Sequence, residues 1–297
     1  MAQTVAPVQA VLSEVNAILE QELPTITDCI ASGDKTKLFG LGSGFFHFPV
    51  AIFLENSGGD RAGAMELATT LALGHGYFYS LDRLLDDRIV EHPLVLASPI
   101  MLSTYLSRLE NTSNDRGMIR TWHDEYYKIY VQAQLYEWKL NRTLPPLSND
   151  DLRLLEMKSA PVCLPIRIAA SKSHKMDSDS LEVAFLNYSA GLQLMDDLSD
   201  VREDFANGLS SIPIRFALVE AMGYSAWPNE GEISPDDVSF YASKSGVHEQ
   251  ILSLADQFFA VAAEQASNAN LGTLKQLAMA RRELCDQRRA ASNELRY

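Results

Sequence analysis

The densest concentration of reactive side chains in the 297-residue sequence is Gln193-Leu194-Met195-Asp196-Asp197-Leu198-Ser199-Asp200-Val201-Arg202-Glu203-Asp204. On a helix, positions 193, 196/197, 200 and 204 lie along one stripe, because neighbours three and four apart share a face. Carboxylates stacked in this way repel one another, so the stripe needs a counter-charge. A hard divalent cation supplies one, since Mg²⁺ takes oxygen ligands octahedrally and commonly shares them with phosphate. An EF-hand is excluded, because no glycine stands at the sixth position counted from Asp196 or Asp200. Most acidic runs are solvated helix faces, and a single run would be read that way. A second cluster tips the balance. Leu81-Asp82-Arg83-Leu84-Leu85-Asp86-Asp87-Arg88-Ile89-Val90-Glu91 places Asp82 and Asp86 one turn apart, and Asp87 and Glu91 one turn apart. The two acidic segments are expected to face one another across a helical bundle and to gather metal there.

Helical periodicity must supply the elements that carry these residues, and no run of alternating β-branched residues competes with it. The pattern predicts helices over 4–31, 43–56, 61–91, 96–110, 116–141, 149–172, 178–206, 211–222, 247–268 and 271–293. Breaks fall at Ser57-Gly58-Gly59-Asp60, at 111–114, at 143–149 and at 172–178, with the longest loop over 224–237. The apolar stretch from Leu38 to Leu54 holds several glycines and serines, His47 and Pro49, so it reads as a buried core helix rather than a membrane span. One all-α domain over residues 1–297, a single bundle of roughly ten helices, follows from this pattern.

Composition narrows the class of function. A formal net charge of −14 argues against binding nucleic acid or an anionic lipid surface. The apolar fraction of 46% is that of a globular protein with a substantial core. Cys29, Cys163 and Cys285 lie far apart, without the paired spacing of a zinc site or a disulfide framework, and a cytoplasmic location fits them. No basic stretch followed by an apolar one marks a signal peptide. The six histidines form no His-x-x-x-His pair, so a zinc hydrolase finds no support.

Together these residues resemble the class I isoprenoid synthase superfamily, in particular the trans-prenyl diphosphate synthases, from about Lys35 to Leu218. Leu192 to Asp200 is similar to the family's second motif, Phe-Gln-x-x-Asp-Asp-x-x-Asp. Gly208 with Ser210-Ser211-Ile212-Pro213 resembles the downstream Gly-Lys-x-Thr-x-Pro segment. Lys158-Ser159 resembles the Lys-Thr pair whose lysine touches the allylic diphosphate, and Gln134 resembles the preceding Gly-Gln position. The resemblance implies helices arranged around a central cavity and three Mg²⁺ ions bridging both aspartate motifs to a prenyl diphosphate. It assigns the ionisation chemistry to Asp82, Asp86, Asp87, Asp196, Asp197 and Asp200, with Asp204 as a further metal ligand. Lys158, Gln193, His75, Tyr77, Phe78 and Gln134 would bind substrate, and a homodimer is expected.

The first motif leaves its own start open. If it begins at Asp82, Arg83 replaces the usual second aspartate, and His75 stands seven residues earlier, where the family has a His or Gln that helps bind isopentenyl diphosphate. If it begins at Asp86-Asp87, Glu91 supplies the later carboxylate. The string Leu81-Asp82-x-x-x-Asp86-Asp87 is also similar to the first motif of squalene and phytoene synthases, as Asp200 to Asp204 with Gly208 is to their second.

Several cationic elements of the prenyl elongating enzymes are missing. The N-terminal Gly-Lys-Arg-x-Arg-Pro element is replaced by Gly42-Ser43-Gly44-Phe45-Phe46-His47-Phe48-Pro49. Arg88 to Pro99 holds no Arg-Arg-Gly, and the lysine after the downstream glycine has become Leu209. Guanidinium and ammonium groups are the natural partners of phosphate, so elongation with isopentenyl diphosphate is disfavoured. The sequence favours ionisation of a C10 to C20 allylic diphosphate followed by cyclisation or elimination to a terpene. Phe45, Phe46, Phe48, Tyr77 and Phe78 would stabilise the cation through their ring faces, although each of them alone is more often ordinary core. Transfer of the prenyl group to another acceptor, or head-to-head coupling, is the alternative. A non-catalytic partner subunit of a prenyl synthase, suggested by Arg83 and Leu209, is a third.

Overall fold

The computed structural model describes residues 10, 11, 14, 15, 17–19, 21, 49, 50, 53, 54, 60–86, 92–112, 116–171, 178–244 and 246–294. Among them there is no strand, and the chain is all-α. The helices are α1 (Arg61–Asp86), α2 (His92–Thr112), α3 (Arg116–Leu140), α4 (Asn149–Lys158), α5 (Cys163–Ser171), α6 (Ser178–Ser199), α7 (Val201–Asn207), α8 (Ile212–Phe216), α9 (Pro235–Lys244), α10 (Val247–Asn268) and α11 (Gly272–Glu294). A 3₁₀ turn, Ala160–Val162, stands between α4 and α5, and a π turn, Ala217–Ala221, follows α8. No helix of the described residues is long and apolar enough to cross a membrane.

The chain divides into two compact units. One comprises Met1–Tyr126, Pro161–Glu182 and Asn268–Leu274; the other comprises Tyr127–Ala160, Val183–Ser267 and Lys275–Tyr297. In the first, α1 packs along α2. Leu67, Ala68, Leu71 and Ala72 recur at helical spacing on α1 and are buried, as are Met101, Tyr105 and Leu109 on α2. Gly74 lets the two helices close up. A methyl group on its α-carbon would meet the Tyr105 ring at 2.8 Å. In the second unit Tyr188 of α6 and Phe259 of α10 are fully buried and meet edge to face at 5.7 Å. Gly191 lies against the same Phe259 ring, where a side chain would collide at 2.7 Å.

Helix starts follow local chemistry. Ser148 caps α4 in a reciprocal box with Asp151, each side chain bonding the other's backbone N–H. Asp151 also meets Arg215 of α8 at 2.7 Å, both residues being about 95% or more buried. Ser234 and Asp237 form the same kind of box at the start of α9, with Pro235 at the first helical position.

The expected boundaries need four corrections. The helix expected over 149–172 is broken at Ser159, whose N–H turns back to Glu156 O, and resumes as α5 after Pro161 enters the 3₁₀ turn. The helix over 178–206 is kinked at Asp200 into α6 and α7. The ladder survives the kink, because Asp200 N–H still donates to Asp196 O and Asp204 N–H to Asp200 O. The segment 211–222 starts helical and then widens into the π turn. The interval 223–246, left without a helix, contains α9, whose start signal is the capping box just described. The readings over 22–48 and 87–91, including Phe45, Phe46, Phe48, Asp87 and Glu91, lie outside the described residues.

Candidate active site

The second acidic segment gathers its partners within one unit. Gln193 Nε2 donates to Asp197 Oδ1 at 2.6 Å, one helical turn away. Asp197 and Asp204 are half-buried, whereas Asp196 and Asp200 are exposed. The stripe therefore has a wet edge and a sheltered edge. Burial pushes the Asp197 carboxyl up to about 7, because Lys158 and the Gln193 hydrogen bond only partly offset it and Glu137 and Asp196 work against them. Burial also lifts Asp204 to about 8, helped by the negative charge of Asp197. Asp196 is raised as well, because the protein side of its carboxyl loses solvation even though the residue as a whole is exposed. Neighbouring carboxylates thus add to the effect of burial at both positions, Glu137 and Asp196 at Asp197, and Asp197 and Asp200 at Asp204.

Lys158, the last residue of α4, is the cation of this group. Its Nζ lies 2.6 Å from Glu137 Oε2 on α3, with only 12% of its side chain exposed. Glu137 Oε2 makes no aligned hydrogen bond, so the contact is an ion pair held by proximity. Gln134 is buried one turn before Glu137 on α3. The sequence reading passed over Glu137. Its signal was its place three residues after Gln134, on the same helix face.

The first acidic segment ends α1. Asp82 is half-buried there, Asp86 closes the helix with its side chain outside the described residues, and Asp87 lies outside them altogether. Seven residues before Asp82, His75 stacks on Tyr79 at 5.9 Å. Tyr77 is buried and meets half-buried Phe78 edge to face at 5.0 Å. Leu71, Gly74, His75 and Phe78 line a small apolar hollow with Tyr105, Pro161 and Val162, of about 30 Å³. A space that size holds a water or two. It is not a preformed pocket for a prenyl chain.

Among the described residues, no three His, Cys, Asp or Glu side chains come close enough to hold a metal ion by themselves. The donor set still suits Mg²⁺. It offers hard carboxylate oxygens, two of them sheltered and raised chiefly by burial, a cost that a divalent cation would offset. Magnesium also takes part of its shell from phosphate and water rather than from a protein cage.

No family model matches the sequence, and no curated protein matches it. Its fold does match solved structures. A geranylgeranyl pyrophosphate synthase from Lactobacillus brevis aligns with a TM-score of 0.69 at 16% identity, covering 96% of each chain. An octaprenyl pyrophosphate synthase from Helicobacter pylori aligns at 0.67 and 15% identity, over 95% of this chain and 99% of that one. A polyprenyl synthase from Caulobacter crescentus, complexed with calcium and isoprenyl diphosphate, aligns at 0.67 and 16% identity, over 93% and 97%. At such identities the likeness speaks for architecture: the chain has the all-α fold of the trans-prenyl synthases, the class I isoprenoid synthase type.

Proposed function

We propose that the protein is a Mg²⁺-dependent prenyltransferase that ionises an allylic prenyl diphosphate and passes the prenyl group to an acceptor. The observation that carries this reading is the grouping of Asp197, Asp204, Gln193 and Lys158 in a fold similar to that of prenyl synthases. The fold likeness favours transfer over the terpene cyclisation expected from the sequence.

Asp196, Asp197, Asp200 and Asp204 would hold magnesium, and Asp82, with Asp86 and Asp87, is assigned the complementary acidic role. Bound magnesium would act as a Lewis acid on the departing diphosphate. Gln193 holds Asp197 in one rotamer, so its second oxygen is presented in a fixed direction. Lys158 supplies a positive charge for the diphosphate tail, which must compete with Glu137 for it. His75, Tyr77, Phe78 and Gln134 are assigned to the substrate, on the resemblance. A homodimer belongs to the same reading, and light scattering at micromolar concentration decides it.

The missing cations at Leu209 and over Gly42 to Pro49 point away from isopentenyl diphosphate as acceptor. They equally suit cyclisation, which is kept as the second reading for that reason. Incubation with C10, C15 and C20 allylic diphosphates and Mg²⁺, with and without isopentenyl diphosphate or another acceptor, tests both. Diphosphate release with an acceptor-dependent product is expected. A terpene formed without acceptor favours cyclisation, and no release from any of the three refutes both.

A further inference from the structure

The cluster described above has a poor supply of positive charge. Its one identified cation, Lys158, is already paired with Glu137, and Leu209 follows Gly208 where a lysine would be expected from the resemblance. The structure brings a different cation to the end of α7, four residues beyond Asp204. Arg142, in the loop after α3, adopts a left-handed backbone with φ of 57°, a conformation that costs a non-glycine residue of order 1 kcal/mol or more. Its N–H donates to Gly208 O at 3.0 Å. The next residue is tied down as well, because Ser210 Oγ donates to Thr143 O at 2.6 Å. The Arg142 side chain crosses Gly208 so closely that a methyl group on that α-carbon would meet Nε at 2.7 Å and Cγ at 3.1 Å. Gly208, at φ 79°, caps α7 and sends its own N–H back to Asp204 O and Phe205 O. The guanidinium is thereby laid over the turn that follows Asp204. Arg142 is exposed, and among the described residues no carboxylate pairs with it.

We infer that Arg142 is a diphosphate-binding residue of this site, its guanidinium taking the place beside Gly208 that Leu209 cannot fill. A planar, permanently charged fork suits two phosphate oxygens at once. The absence of a side chain at Gly208 is what gives Arg142 its path. This assignment rests on the reading of the site as a magnesium–diphosphate centre.

The test uses Arg142→Asn in the full chain, since asparagine tolerates the left-handed backbone and carries no charge. Titration calorimetry would measure inorganic diphosphate in the presence of Mg²⁺, and Mg²⁺ alone. Diphosphate affinity is expected to fall by about tenfold to a hundredfold, as for loss of a charged hydrogen bond, with Mg²⁺ affinity unchanged. Unchanged diphosphate affinity overturns the assignment. So does an equal loss of affinity for both ligands, which would mark Arg142 as a structural support. If the wild-type chain itself binds no diphosphate with Mg²⁺, the magnesium–diphosphate reading fails first, and this one with it.

Discussion

The acidic face of α6 and α7 and the hollow beside α1 are built on opposite physical principles. Around Asp197 the chain collects like charges, shelters two of them, and leaves them short of compensation. Around Gly74 it collects complementary apolar shapes and leaves room for little more than a water molecule. A region of the first kind answers to ions and pH. A region of the second kind is complete as it stands and answers to volume.

Three changes would break or sharpen that contrast. Asp197→Ala is expected to cut diphosphate release by about 10³-fold, since a Lewis-acid contact is worth several kcal/mol. The folded chain should keep its melting temperature or gain a little, because a frustrated carboxylate has been removed. Turnover near the wild-type rate would remove α6 from the chemistry. Gly74→Val should act the other way, lowering stability by about 1–3 kcal/mol through overpacking against Tyr105, with Mg²⁺ affinity unchanged by calorimetry. An unaltered melting temperature would show that the hollow is looser than its geometry. The third change is in pH. Asp197 and Asp204 take up protons in the folded chain at about 7 and 8, against 3.8 for an ordinary aspartate. Between those limits these two groups bind more protons in the folded state than in the unfolded one, so their contribution to metal-free stability is fully present near pH 4 and declines as pH rises toward 8. Thermal melts at pH 5 and pH 8 should show that decline. Added Mg²⁺ should offset it mainly at pH 8, where fewer protons must be displaced. A metal-free chain that becomes more stable between those pH values would contradict the shifts.

Chemistry was more legible in the sequence than geometry. Asp197, Asp204 and Gln193 could be selected because residue type and helical spacing bring them onto one face, whereas Lys158 was selected by its resemblance to the Lys-Thr pair of the trans-prenyl diphosphate synthases. Glu137 was passed over: its spacing from Gln134 set its helix face, but its pairing depends on where α4 ends relative to α3. Arg142 was hidden for a similar reason: a left-handed backbone and a contact across Gly208 leave no periodic trace. The long helices emerged from their apolar repeats, with α10 matching the expected 247–268 at both ends. The kink at Asp200 did not, because every residue around it suits a continuous helix. α9 was a different failure. Ser234-Pro235-Asp236-Asp237 states a helix start in plain terms, but Pro228 and Gly231 before it, with Pro235 itself, made the whole stretch read as loop.

Asp151 serves two structures with one carboxylate, closing the start of α4 and receiving Arg215 from α8. Burial would raise this carboxyl, yet the bonds from Arg215 and Ser148 leave it below the usual range. The short helix that ends in Lys158 is therefore anchored at its far end by a charge that stays ionised in mild acid. Fraying from that end would strand a guanidinium in the interior, so amide protons along Leu154 to Lys158 should exchange with solvent only in the rarer, larger openings of the molecule.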